Sequence, residues 1–150
     1  MLRGSNGHHR KQTARSWNLI VFSVGGRRLA VKADELLGIN KWTGSLPGAN
    51  GIPVVSSMVR MDHDEFPVFD LAGMLHVTVR GDALLCLMAK HPSGTVAICV
   101  DEEMPILHAI DPTTVQPYRG EEFPVIGSFS NGVDQIPILS VAQFGIVPRG

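Results

Sequence analysis

An all-β chain closed into small barrels is predicted by three observations. Short apolar runs recur at regular spacing from Trp17 to Leu139, Gly- and Pro-containing turns separate them, and very little of the sequence carries a helical repeat. With 150 residues, 44% of them apolar, the length suits one domain or two small fused sub-barrels sharing a core.

The elements follow in order. Trp17 to Val24 is rich in β-formers, Gly25-Gly26 is a two-residue hairpin signal, and residues 27–31 supply the return strand. Residues 33–42, with Leu36, Leu37, Ile39 and Trp42, fit either a helical turn running into a strand or a short amphipathic helix, and periodicity alone leaves both open. Pro47, Gly48, Asn50, Gly51 and Pro53 make a loop, after which residues 54–61 and 65–69 form a second hairpin across Asp62-His63-Asp64. Pro67 has no ladder donor, which predicts an edge or bulged strand there. Asp70 is the expected N-cap of a helical turn ending at Leu75. Residues 83–89 and 95–100 are near-continuous apolar runs, as expected for a core hairpin buried on both faces. A strand over 104–110 follows, then a hairpin across Asn131-Gly132 and a last helical turn around 141–144, for a count near ten strands.

Charge and composition exclude several function classes. The net charge of −1 divides into a basic lead, residues 1–16 with Arg3, Arg10, Lys11 and Arg15 and no acid, and a body carrying 9 basic against 14 acidic residues. A mildly acidic body lacks the basic stripe of a nucleic-acid binder, and the lead is expected to be disordered. His8 and His9 in such a lead have no second shell to order them around a metal. No apolar run reaches the ~18 residues of a membrane span, and the N-terminus lacks a secretory apolar stretch, so a cytoplasmic protein is expected. Cys86 and Cys99 both lie in apolar runs and read as buried thiols in a reducing compartment.

Enzymatic signals are sparse. Asp62-His63-Asp64-Glu65 is the densest cluster of candidate ligands or general acids, but consecutive strand residues face opposite ways, so a solvated hairpin tip is the simpler reading. A small hydrolase or metal enzyme built on Asp62, His63 and Asp64 is the reading from that cluster. Neither a GxGxxG fingerprint nor a Walker sequence occurs, and the six histidines lack the spacing of a zinc site or a phosphotransfer helix. The acids Asp101, Glu102 and Glu103 close a buried strand, most simply as a solvated turn and otherwise as a surface for a basic partner.

Residues 19–146 resemble the CheW-like domain of the chemotaxis coupling proteins and of the regulatory domain of the kinase CheA. The resemblance rests on the order of several short pieces: residues 19–26 with Ala30-Val31, Leu46-Pro47, Arg60 followed by Pro67-Val68-Phe69-Asp70-Leu71, residues 96–101, and Val125-Ile126-Gly127 with Ile138-Leu139. It implies two intertwined five-stranded SH3-like β-barrels over residues 17–150, an apolar groove between them, no cofactor and no catalysis. It further implies a cytoplasmic adaptor, recruited to receptor arrays at the inner face of the membrane, that joins a chemoreceptor tip to the regulatory domain of a CheA-type histidine kinase. The partner-binding residues so expected are Arg60, whose fork of donors suits a partner carboxylate, and Leu36, Gly38 and Ile39 near the groove. Two departures stand out. The run 57–61, Ser-Met-Val-Arg-Met, replaces the family's Asn-Leu-Arg-Gly, and Gly38 stands where members often carry glutamate. These departures leave a divergent, stand-alone interaction module of another signalling assembly as the alternative.

Overall fold

The computed structural model describes residues 16–44, 55–61, 63–118 and 123–144. The lead with His8 and His9, the pair Leu46-Pro47, and Asp62 lie outside the described residues. Ten strands are described: β1 (Trp17–Val24), β2 (Arg27–Lys32), β3 (Leu36–Lys41), β4 (Val55–Met61), β5 (Asp64–Phe69), β6 (Leu85–His91), β7 (Gly94–Val100), β8 (Ile106–Ile110), β9 (Val125–Asn131) and β10 (Asp134–Leu139). A single-turn helix, α1 (Leu71–Leu75), follows β5 and is capped by the Asp70 carboxyl, which accepts from Gly73 N–H at 2.9 Å, as its sequence position predicts. Residues 33–42 adopt the first of the two predicted forms, a 3₁₀ turn over Ala33–Glu35 running into β3. The strand predicted from 104 starts at Ile106, just beyond Pro105.

The strands form two five-stranded sheets. Sheet A has the order β8-β1-β2-β10-β9 and sheet B the order β3-β6-β7-β5-β4. One pattern underlies both, circularly permuted: replacing β8, β9, β10, β1 and β2 by β3, β4, β5, β6 and β7 turns sheet A into sheet B. Even the parallel contacts correspond, Ile138 beside Ala30 in sheet A and Val68 beside Ala97 in sheet B. Sheet A takes strands from both ends of the chain and sheet B from its middle, which is the sense in which the two are intertwined.

The permuted pattern also corrects the edge reading of Pro67. β5 is an interior strand, between β7 and β4. Counting back from the two-residue turn closed by Met61 and Asp64, Pro67 opposite Met58 is at a non-hydrogen-bonded position, so its missing N–H is directed away from β4. On the other side, pairing with β7 begins only at Val68. Pro137 occupies the equivalent place in β10, opposite Ser128 and one residue before Ile138. The register, not the edge, makes room for each proline.

Three apolar layers result. Leu19, Val21, Ala30, Phe129, Ile136 and Ile138 fill the inside of sheet A, with the His108 ring stacked on Phe129 at 5.4 Å between centroids. Val59, Val68, Cys86, Met88 and Ala97 fill the inside of sheet B. Between the sheets, Phe22, Val24, Leu29 and Val31 meet Phe69, Leu87, Ile98 and Val100 in a shared core completed by Leu71 of α1 and by Phe144. The central hairpin β6–β7 therefore contributes to two layers at once, which is why its sequence is almost continuously apolar. Sheet A closes on itself where Gln116 and Ser128 exchange backbone hydrogen bonds of 2.8 and 2.7 Å. Gly127 permits that closure: its φ is +152°, and a β-carbon there would stand 2.5 Å from Val115 Cγ1 and 2.9 Å from Gln116 O.

Candidate partner-binding face

β3 is an edge strand of sheet B, and its two faces are used differently. Ile39 is opposite Leu87, a residue of the shared core, so Ile39 stands on the core face of the sheet but at its open margin, 38% exposed. Leu36 is half-buried and packs against the shared core. Between Leu36 and Gly38 the register slips by one residue, and the extra residue, Leu37, is 55% exposed. A bulge of this kind bends an edge strand and blunts it against uncontrolled pairing. Gly38 is half-buried with ordinary space around it, since an added β-carbon would meet only Asn40 Nδ2, at 3.9 Å.

Sheet A repeats the arrangement on β8, the counterpart of β3. Leu107 is opposite Ile20, which packs against the shared core, and is itself 63% exposed. Ile106 and Met104 beside it are exposed as well. Each sheet thus carries its half of the shared core outward to an uncovered apolar margin, Ile39 on one and Leu107 on the other. Ile106, next to Leu107 and opposite Val21, faces the other side of its sheet. β8 is the part of this face that sequence reasoning missed. Its signal was present, an apolar edge strand following an acidic turn in the same way that β3 follows Asp34-Glu35, but only the permuted pattern makes the two comparable.

Arg60 lies apart from this strand, on β4 at the other edge of sheet B. Its guanidinium is exposed and pairs with Glu65 at 2.8 Å across the hairpin. The described link to β3 is short: Thr43, two residues beyond that strand, donates its hydroxyl to the Arg60 carbonyl at 3.3 Å. Leu36, Gly38 and Ile39 therefore share one strand, and Arg60 is linked to the segment after it by the Thr43 hydroxyl. An exposed ion pair such as Arg60–Glu65 contributes at most ~1 kcal/mol, so a partner carboxylate can replace Glu65 at little cost.

Of the three acids in the turn after β7, Glu102 and Glu103 are exposed as the sequence suggests, but Asp101 is not. Asp101 is buried, and its Oδ1 accepts from Gly25 N–H and Arg80 N–H while Oδ2 accepts from Gly26 N–H, all at 2.8 Å. Its own N–H donates to Ser23 O at 2.9 Å. One side chain at the end of β7 thus clamps the β1–β2 turn of sheet A onto sheet B. Glu102 serves a local loop, accepting from Asp82 N–H and Ala83 N–H.

Glu35, just before β3, carries the one resolved carboxyl perturbation among the described residues. Burial pushes it above its ordinary value of 4.5, and Asp34 adds to this while Lys32 and the Val141 backbone N–H oppose it. Its Oε1 has no hydrogen-bond partner among the described residues. A folded-state carboxyl that holds its proton more tightly than the unfolded chain loses stability as pH rises from 4.5 toward the raised value. Glu35→Gln is accordingly expected to melt higher than the wild type at neutral pH, with the gap closing as pH falls below 4.5. Melting curves across that range check the sign.

The two five-stranded sheets and three apolar layers define a small all-β fold of two intertwined units. No protein-family model matches the sequence, and no curated protein does. Among solved structures, the chain is similar to the scaffolding protein TtCheW from Thermoanaerobacter tengcongensis, with a TM-score of 0.68 and 16% sequence identity over 85% of this chain and 90% of that one. The chain has the CheW-like fold.

Proposed function

We propose that this protein is a non-catalytic adaptor that couples chemoreceptors to a CheA-type histidine kinase in a chemosensory pathway. The observation that carries this reading is the pair of uncovered apolar margins, Ile39 on β3 and Leu107 on β8, at equivalent places of a CheW-like fold. A rigid β body presenting edge strands and apolar margins suits binding of a partner strand or helix, and needs neither an activated nucleophile nor a bound cofactor. In this reading Leu36, Gly38 and Ile39 form the margin met by one partner, and Arg60 exchanges Glu65 for a partner carboxylate. No helix among the described residues is long and apolar enough to cross a membrane, and membrane proximity would come through the receptor.

The test is co-sedimentation of the protein with a receptor-tip assembly and the kinase regulatory domain from the same genome. Recruitment of both, with receptor recruitment reduced by Arg60→Ala, is expected. Recruitment of neither contradicts the reading. One observation favours a second reading, a stand-alone CheW-like module of another assembly: Arg60 is engaged within its own hairpin by Glu65, and Gly38 offers no charge on β3. Retention of the kinase domain without any receptor fragment points to that module.

A further inference from the structure

Three sulfur-bearing residues share one face of sheet B, the face opposite the shared core. Cys86 and Cys99 are directly opposite each other on β6 and β7, so their side chains leave the ladder on the same face. The register runs without a slip from the two-residue turn closed by His91 and Gly94. Alternation from that closing pair puts Cys86 and Cys99 at a non-hydrogen-bonded position, where Cα atoms approach to about 4.5 Å. Met88, two residues along β6, shares the face, and its Sδ is 3.5 Å from Cys86 Sγ. Both cysteines are free thiols, Cys86 buried and Cys99 half-buried, within a layer of Val59, Val68 and Ala97.

We propose that Cys86, Cys99 and Met88 form a binding site for one soft monovalent cation of the Cu(I) class. Two thiolates and a thioether are a soft donor set, which selects such an ion over harder ones. Cys86 Sγ and Met88 Sδ, 3.5 Å apart, are close enough to share one ion, and Cys99 faces Cys86 directly across the ladder. Zinc is disfavoured because it takes four nitrogen, sulfur or oxygen ligands in a tetrahedron. Among the described residues no group of three His, Cys, Asp or Glu is placed to hold a metal. Asp101, two residues beyond Cys99, has both oxygens occupied by backbone N–H groups.

Burial pushes Cys86 up to about 11, and burial together with Cys86, Asp101 and Asp70 pushes Cys99 up to about 12. A coordinated thiol loses its proton. In the balanced step one cation enters through the half-exposed Cys99, two sulfur–metal bonds replace two S–H bonds, two protons leave to solvent, and no electron is transferred. The occupied site would staple β6 to β7 beside β3.

The test is an anaerobic titration of the full chain with Cu(I) against a chromophoric Cu(I) chelator, followed through the thiolate-to-metal absorption. One equivalent is expected to be retained, with affinity rising about a hundredfold per pH unit because two protons are released. Cys99→Ala, at the half-exposed position, is expected to abolish retention without disturbing the core. Met88→Leu is expected to weaken retention about tenfold, the size of effect seen for supporting groups around a metal. Zn(II) is expected not to compete. Absence of retention, retention unchanged in Cys99→Ala, or a Cys86–Cys99 disulfide in protein kept anaerobic throughout would overturn the proposal.

Discussion

Replacing Asp101 by alanine is expected to lower stability by about 3 kcal/mol or more and the melting temperature by about 10 °C, the largest effect of any polar substitution among the described residues. The reason is the number of groups that depend on one carboxyl. Gly25, Gly26 and Arg80 each direct a backbone N–H at it, and its removal takes their shared acceptor away in a part-buried site. Unsatisfied buried donors cost ~1–3 kcal/mol apiece, with less than full additivity because the three share one acceptor. Asp101→Asn keeps one carbonyl oxygen and turns an amide N–H₂ toward a donor, so it should recover only part of the loss. Gly25→Ala reports on the same clamp from the other side. Its φ is +62°, and the added β-carbon would meet Val77 Cβ at 2.5 Å. The two substitutions act on one contact, and their combined effect should fall well short of the sum. Full additivity in thermal or urea unfolding would show that the clamp does not join the two sheets.

The second large effect is on binding, not folding. Ile39→Asp and Leu107→Asp each place a charge on an exposed apolar margin without entering the packed core. Melting temperatures should therefore stay within about 2 °C of the wild type, as for surface changes generally. Affinity for a partner seated on that margin should fall roughly 30-fold or more, the value of a buried apolar anchor at an interface. The two margins are equivalent in the fold but have different neighbours, so each substitution should weaken one partner selectively. Met104 and Ile106 flank Leu107, whereas Lys41 and Asn40 follow Ile39. Equal loss toward both partners in both variants would indicate a single shared surface.

Much of the fold was legible because certain residues have few alternatives. Gly25-Gly26 takes φ of +62° and +84°, which other residues rarely adopt, and it marks its hairpin from sequence alone. Asp70 before an apolar turn is a cap by its chemistry, and residues 83–100 can be so apolar only if two layers cover them. Asp101 was not legible, because a clamp and a solvated acid have the same sequence. Only the placement of the β1–β2 turn against the end of β7 distinguishes them.

The edge alternative for Pro67 failed for a related reason, whereas the bulge alternative is met next to it, by the register shift between Val55 and Ser57 opposite Phe69 and Val68. Whether a strand tolerates proline in its interior depends on which way the missing N–H faces, and that is a property of register. The internal repeat stayed hidden because it is permuted, one unit being split between the two ends of the chain, so no straight comparison of halves aligns β8 with β3. The candidate face was half visible for the same reason. Leu36 and Ile39 could be named from their pattern, but an apolar residue at an edge resembles one in the core until the edge is known, and Leu107 required the topology.

The most direct measurement of the central claim is a calorimetric titration of this protein with the isolated CheW-like regulatory domain of a CheA kinase from its own genome. Saturable one-to-one binding that Ile39→Asp or Leu107→Asp weakens, in a variant whose melting temperature is unchanged, is the predicted result. Absence of heat at concentrations that saturate the kinase's own coupling protein would contradict the account.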